Sequence, residues 1–312
     1  MGGHDADRSG RSPGRRVLTR RSLLWGASTA VALGGAGVLA IEDGMLPGRT
    51  RLNSALGLDG PDGTVPDIEP GPTVSSSFDS AARGTEVGWT IARPPGASGR
   101  LPVVVVLHGR GGNHATPFRG THLALDRFLA AAVAGGVPPF ALASVDGGEA
   151  YWHDRADGDR CGSMVLEEFL PLLREHDLDI DRIGFFGWSM GGFGSLHLTH
   201  TLSEARGGTR VAGVAVMSPA LFRTYADTTP GAYDDAADFE RVAVMHQQAT
   251  FDDVPLRVDC GEGDPFCSAT REYVAGFDAP PAGGFEPGGH DVGYWRRIAP
   301  HALEHLGNAL VD

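Results

Sequence analysis

From about residue 85 onward, short apolar runs alternate with longer stretches in which apolar residues recur at helical spacing. Glu86-Val87-Gly88-Trp89-Thr90-Ile91-Ala92 alternates as a partly exposed edge strand should. Leu101–His108 (LPVVVVLH) is apolar nearly throughout, which predicts a strand buried on both faces of a parallel sheet. The spacing then predicts a helix over Thr121–Ala134, a strand over Phe140–Val145 and a helix over Met164–Glu175. Phe185-Phe186 leads a further strand into a glycine-rich turn, followed by a helix over Phe193–Leu202. Strands over Val211–Met217 and Pro255–Asp259 come next, and a helix from about Asp291 to Leu310 closes the chain. Strands and helices alternating at these lengths predict an α/β fold, a mostly parallel, doubly wound sheet with helices on both faces. Active sites in that architecture form at the carboxyl ends of the strands. No internal repeat interrupts the pattern.

The first eighty residues read differently. Thr19-Arg20-Arg21-Ser22-Leu23-Leu24 is similar to a twin-arginine export signal, set behind a basic arm and ahead of a mildly apolar run from Leu23 to Ile41. Residues 1–41 are therefore expected to be an export signal or a single-helix anchor, with Val38-Leu39-Ala40 an imperfect cleavage site. Residues 42–80 are expected to be a Gly/Pro/Ser-rich linker, and 81–312 the catalytic domain. An exported or cell-envelope location follows, with membrane contact only through an uncleaved N-terminal segment.

Charge narrows the partners. All 26 basic residues are arginine and the net charge is −13; the first forty residues carry six Arg against two Asp, which leaves −17 on the remainder. A body of that charge repels phosphate backbones, so nucleic acid is not an expected partner. Of the three cysteines, Cys260 and Cys267 are the preferred disulfide pair in an exported protein, with pairing through Cys161 or three free thiols as the alternatives. No C-x-x-C occurs, and His197 and His200 have no acidic or sulfur residues near them in sequence, so no metal or cofactor is expected.

The chemistry concentrates in Arg182–Gly192, RIGFFGWSMGG, where a strand breaks into Gly187-Trp188-Ser189-Met190-Gly191. A serine hydroxyl becomes a useful nucleophile only when a sharp strand–turn–helix bend lifts it clear of its backbone beside a base. The motif alone is weak, since a shuffled chain of this composition would contain G-x-S-x-G about one time in three. Gly10-Arg11-Ser12-Pro13-Gly14 is a decoy, with no strand before it and a proline against a following helix. Context selects Ser189.

The partners follow in the chain order Ser, acid, His. Of the late histidines, His301 and His305 sit four apart on the terminal helix, whereas His290 lies in the flexible turn Gly288-Gly289-His290-Asp291 and is the expected base. Asp259, Glu262 and Asp264 compete as the acid; Asp264, in the turn beyond the strand, is the first choice. Oxyanion donors are expected from the Met190 backbone and from His108-Gly109-Arg110-Gly111-Gly112, with Arg110 N–H preferred and Gly109 or Gly111 as alternatives. His108 itself reads as a structural residue bonding the loop backbone rather than a second base. Tyr151 and Trp152, in the loop Asp146–His153, and Trp188 are candidate substrate-binding residues, with simple packing as the competing reading.

HGRGG, GWSMGG, CGEGDPF and GGHDVGYWR together resemble α/β-hydrolase esterases of the esterase D and secreted mycolyltransferase group, over roughly residues 85–308. The resemblance implies an α/β-hydrolase fold, nucleophile Ser189, acid Asp264, base His290, and carboxylic-ester hydrolysis of a small-molecule, lipid or glycan ester. Acyl transfer to a sugar or lipid alcohol is the alternative, and a non-catalytic binding protein on the same scaffold a third. An export signal departs from the cytosolic start of the esterase D branch, and no long insertion announces a large lid.

Overall fold

The computed structural model describes residues 1–2, 59–205 and 208–311. The chain divides into two compact units, Met1–Leu52 and Asn53–Asp312. The expected export segment and residues 42–58 of the expected linker lie outside the described residues, apart from Met1 and Gly2. Among the described residues, no helix is long and apolar enough to cross a membrane.

Among the described residues, eight strands form one sheet: β1 Thr73–Ser80, β2 Thr85–Ala92, β3 Leu101–Leu107, β4 Ala141–Val145, β5 Leu178–Trp188, β6 Arg210–Met217, β7 Leu256–Gly261 and β8 Ala282–Glu286. They lie in the order β1-β2-β4-β3-β5-β6-β7-β8; β1 and β2 are antiparallel to their neighbours and the rest run parallel. The valine run explains the layering. Val103, Val105 and Leu107 point into one core with Met164, Phe169, Phe193 and Leu196, while Val104 and Val106 point into another with Leu125, Phe128, Ile298 and Leu306. Period-two alternation thus puts apolar side chains on both faces, each covered by helices.

The helices are α1 Leu125–Ala134, then α2, made of Cys161–Ser163, a π-helical stretch Met164–Phe169 and Leu170–Glu175, then α3 Met190–Glu204, α4 Ala236–Val242, α5 Cys267–Ala275 and α6 Val292–Ala309. Residues of α2 and α3 fill the first core, and those of α1 and α6 the second. This is the α/β-hydrolase fold, as expected.

Two expectations are corrected. The sheet starts inside the expected linker: Thr73–Ser80 pairs with β2 over eight residues, and Ser75 Oγ meets Thr90 Oγ1 at 2.8 Å. Its Ser/Thr-rich sequence lacks alternation because nearly all of this edge strand faces solvent, and β2 lies one place in from the edge. The second concerns sulfur. Cys161, Cys260 and Cys267 are all unbridged and buried. The β7–α5 turn brings Cys260 and Cys267 close enough for their thiols to hydrogen-bond, and Arg271 also bonds the Cys267 sulfur. Cys161 donates to Gly147 O at 3.5 Å, and burial pushes its thiol up to about 12.

Candidate active site

Ser189 is the single residue between the end of β5 and the start of α3. Its backbone is left-handed, with φ 54° and ψ −123°, a conformation that costs a non-glycine residue of order 1–3 kcal/mol. The surroundings impose it: Ser189 N donates to Met217 O at 3.1 Å, and Ser189 O accepts from Phe193 N and Ala220 N at 3.1 and 2.9 Å. The flanking glycines are sterically required. A Cβ on Gly187 would lie 2.1 Å from Gly191 O, and one on Gly191 would lie 1.9 Å from Leu107 O.

His290 arrives from the loop between β8 and α6, and Asp264 from the turn between β7 and α5. His290 Nδ1 donates to Asp264 Oδ2 at 2.8 Å, which leaves Nε2 free to accept from Ser189 Oγ at 2.9 Å. Asp264 Oδ1 accepts from Phe266 N at 2.8 Å, so both carboxylate oxygens are engaged. The Asp264 side chain is fully buried and that of His290 is 26% exposed. The imidazole is gripped edge-on by Trp295 and Phe266, with ring centroids 5.0 and 5.3 Å away. Asp291 caps α6 by accepting from Tyr294 N at 3.0 Å, fixing the residue next to His290.

The competing carboxylates are occupied elsewhere. Arg257 Nε and Nη2 bond Asp259 at 2.7 and 2.9 Å, and burial still raises that carboxyl to about 6. Glu262 accepts from Arg271 Nη2 at 3.1 Å on the surface. His305 bonds Pro255 O at 3.3 Å, away from the serine.

The loop expected to supply an oxyanion donor leaves β3 at His108 and passes over the elbow. A Cβ on Gly109 would lie 2.7 Å from Trp188 Nε1 and 3.4 Å from Ser189 Cβ, so only glycine allows the loop this close. Met190 opens α3, where the first N–H groups have no intrahelical acceptor. His108 is fully buried; its Nε2 accepts from Gly147 N at 3.0 Å and its Nδ1 donates to Gly109 O at 2.9 Å. Asp146 ties the same loops, accepting from His114 N at 2.5 Å and Gly88 N at 3.2 Å. The Arg110 side chain points outward to Glu149 at 3.1 Å.

The three aromatic candidates, Tyr151, Trp152 and Trp188, are all buried. Trp152 is fully buried, its edge 5.0 Å from His108 by ring centroid and its Nε1 donating to His108 O at 3.3 Å. Trp188 is buried in the second core between His122 and Trp295. Trp152 has a positive φ, and Trp188 is the last residue of β5. Tyr151 is also buried, packed with Phe193, Phe222 and Tyr233. The sequence reading missed Phe266 and the part Trp295 plays against His290. Their positions, two after Asp264 and five after His290, are the available signal.

A buried carboxylate, an imidazole and a hydroxyl thus stand in hydrogen-bonded series at the carboxyl ends of the strands of an α/β-hydrolase fold. No protein-family model and no curated protein matches the sequence. Solved structures do match in fold. A ferulic acid esterase is 18% identical with a TM-score of 0.66, over 77% of this chain and 100% of that one. An S-formylglutathione hydrolase from Agrobacterium tumefaciens is 18% identical with a TM-score of 0.63, over 79% and 98%. The enterobactin esterase from Shigella flexneri is 18% identical with a TM-score of 0.59, over 80% and 62%. These neighbours agree with the resemblance read from the four motifs, and at such identity the likeness is one of fold.

Proposed function

We propose that this protein is an exported serine carboxylic-ester hydrolase working through an acyl-serine intermediate. The observation that carries the reading is the unbroken bond series Ser189 Oγ, His290 Nε2, His290 Nδ1, Asp264 Oδ2. Ser189 Oγ attacks the ester carbon as its proton passes to His290 Nε2, and Asp264 steadies the resulting imidazolium without taking its proton. The carbonyl oxygen becomes an oxyanion, received by the Met190 and Arg110 backbone N–H groups. Collapse expels the alcohol, which takes the proton from His290. Water then repeats the sequence on the acyl-serine, releasing the carboxylic acid and restoring the serine. Every proton is handled by these groups, so the cycle calls for no metal or cofactor.

A fluorophosphonate probe should label the intact protein at Ser189, and p-nitrophenyl esters from acetate to palmitate should be turned over. Ser189→Ala should lower kcat at least several hundred-fold and abolish labelling. An unlabelled, inactive wild type would reverse the reading in favour of a binding protein. Product analysis with added alcohols identifies the acceptor: ester products in place of free acid would make it an acyltransferase. Export rests on Arg20-Arg21 ahead of the apolar run; Arg20→Lys with Arg21→Lys should retain the protein inside the cell.

A further inference from the structure

A planar trans peptide points its C=O and its N–H in opposite directions, so whatever fixes one aims the other. The peptide between Gly109 and Arg110 carries the Arg110 N–H on one side and the Gly109 carbonyl on the other. Two donors hold that carbonyl: His108 Nδ1 at 2.9 Å and Gly112 N at 3.0 Å. The far nitrogen of the same imidazole accepts from Gly147 N at 3.0 Å. A nitrogen that accepts an N–H bond carries no proton, so the ring's one proton sits on Nδ1.

We propose that His108 is the positioning residue of the oxyanion hole: its Nδ1–H, in a tautomer set by the Gly147 N–H, grips the Gly109 carbonyl and thereby aims the Arg110 N–H at the oxygen of a carbonyl attacked by Ser189. The proposal rests on the serine-hydrolase reading and adds to it the group that orients one of the two donors.

The surroundings suit a fixed, neutral ring. His108 has no exposed surface. Trp152 braces the start of the loop through its indole N–H, 3.3 Å from His108 O. Burial lowers the imidazole to about 4; the Gly109 bond and Asp146 pull the other way, and Arg83 and His114 add to the lowering. His108 never meets the substrate. Its loss would leave the Gly109 carbonyl with Gly112 N as a single donor, so the peptide could tilt and the oxyanion would lose alignment rather than the whole donor.

Two substitutions separate aiming from mere filling. An asparagine amide reaches the place of Nδ1 and can still donate to Gly109 O, whereas a glutamine amide reaches the place of Nε2 and serves only Gly147 N. His108→Gln should lower kcat about ten- to hundred-fold while KM stays within about twofold, and His108→Asn should recover most of the loss. A trifluoromethyl ketone, tetrahedral once added to Ser189, should lose affinity in the Gln variant by the same factor as kcat. Equal losses in both variants, or a loss confined to KM, would overturn the proposal. Should neither variant fold, nitrogen NMR of the wild type with labelled histidine decides. A neutral ring protonated on Nδ1 from about pH 5 to 8 is expected, and a proton on Nε2 would refute the idea. The two readings fail separately. A wild type inert to fluorophosphonate removes the hydrolase itself, whereas an active wild type whose Gln variant keeps full kcat removes only the role of His108.

Discussion

His290 bonds Ser189 directly and His108 opens the loop that passes close to it, and the two rings are held in opposite ways. His108 is sealed from solvent, and both ring nitrogens go to backbone groups. His290 is about a quarter exposed, and its nitrogens go to a carboxylate and a hydroxyl. Protonating the first would destroy the bond from Gly147 with nothing to replace it, and burial resists the charge. Protonating the second keeps the Asp264 bond and strengthens it. The partners of an imidazole, more than its place in a motif, decide whether it acts as a strut or as a proton carrier.

The sharpest way to break this comparison is to remove the carrier. His290→Ala should cut kcat on p-nitrophenyl acetate by about a thousandfold or more while the melting temperature moves by less than about 2 °C. A large melting shift would place His290 among the struts instead. Next in size, Asp264→Asn should cost roughly a hundred- to ten-thousandfold in kcat, because the amide can no longer fix the Nδ1–H tautomer. Asp259→Asn, whose carboxylate is bound by Arg257, should leave kcat within about threefold. If the two acids behaved alike, the assignment of Asp264 would fail.

Stability against pH tests the strut side. His108 and His197 are held neutral, lowered by burial to about 4 and about 3. Since both lie below the unfolded value of 6.5, the stability tied to their neutrality is complete above that pH and drains away as the pH falls toward the folded values. By pH 5 each should cost about 2 kcal/mol. Urea unfolding at pH 7 and pH 5 should therefore show a loss that shrinks by about 2 kcal/mol in His197→Phe. An unchanged pH slope would mean that His197 is charged in the folded protein. The smallest effect belongs to Arg110→Ala. The proposed donor is the backbone N–H, and the guanidinium makes only a surface pair with Glu149, so kcat should fall less than about fivefold. A hundredfold drop would put the side chain in the chemistry.

Much of this was legible because the informative signals are local. Four valines in a row mark a strand covered on both faces, and glycines two either side of Ser189 mark a bend that excludes Cβ atoms. The approach of His290 to Ser189 could be read because a flexible turn ahead of a helix lets a side chain reach over a sheet. Other features depend on distant partners and left weaker traces. β1 has almost no apolar face, and β8, AGGFE, is glycine-rich, so neither carries the alternation that betrays a strand. α4 and α5 are short and follow polar turns. Within α2 the apolar spacing is the same whether a π-helical stretch intervenes or not. Nothing in the order Asp146–His153 says that Tyr151 and Trp152 adopt positive φ and fold their rings inward. Proximity of Cys260 and Cys267 was readable from their spacing, but their unbridged state was not.

The described stretch ahead of β1, residues 59–72, has no regular structure, yet it is strapped down. Gly63 N bonds Gly293 O at 2.8 Å, Arg127 reaches Ile68 O at 2.7 Å, and Arg297 bridges Pro61 O and Pro287 O. Gly293 and Arg297 lie on the opening turns of α6, and Pro287 begins the loop that delivers His290. Chain length at the N-terminal side and the seating of His290 are thereby coupled: removal of residues up to Gly60 spares the strap, and removal of a dozen more unbuckles it.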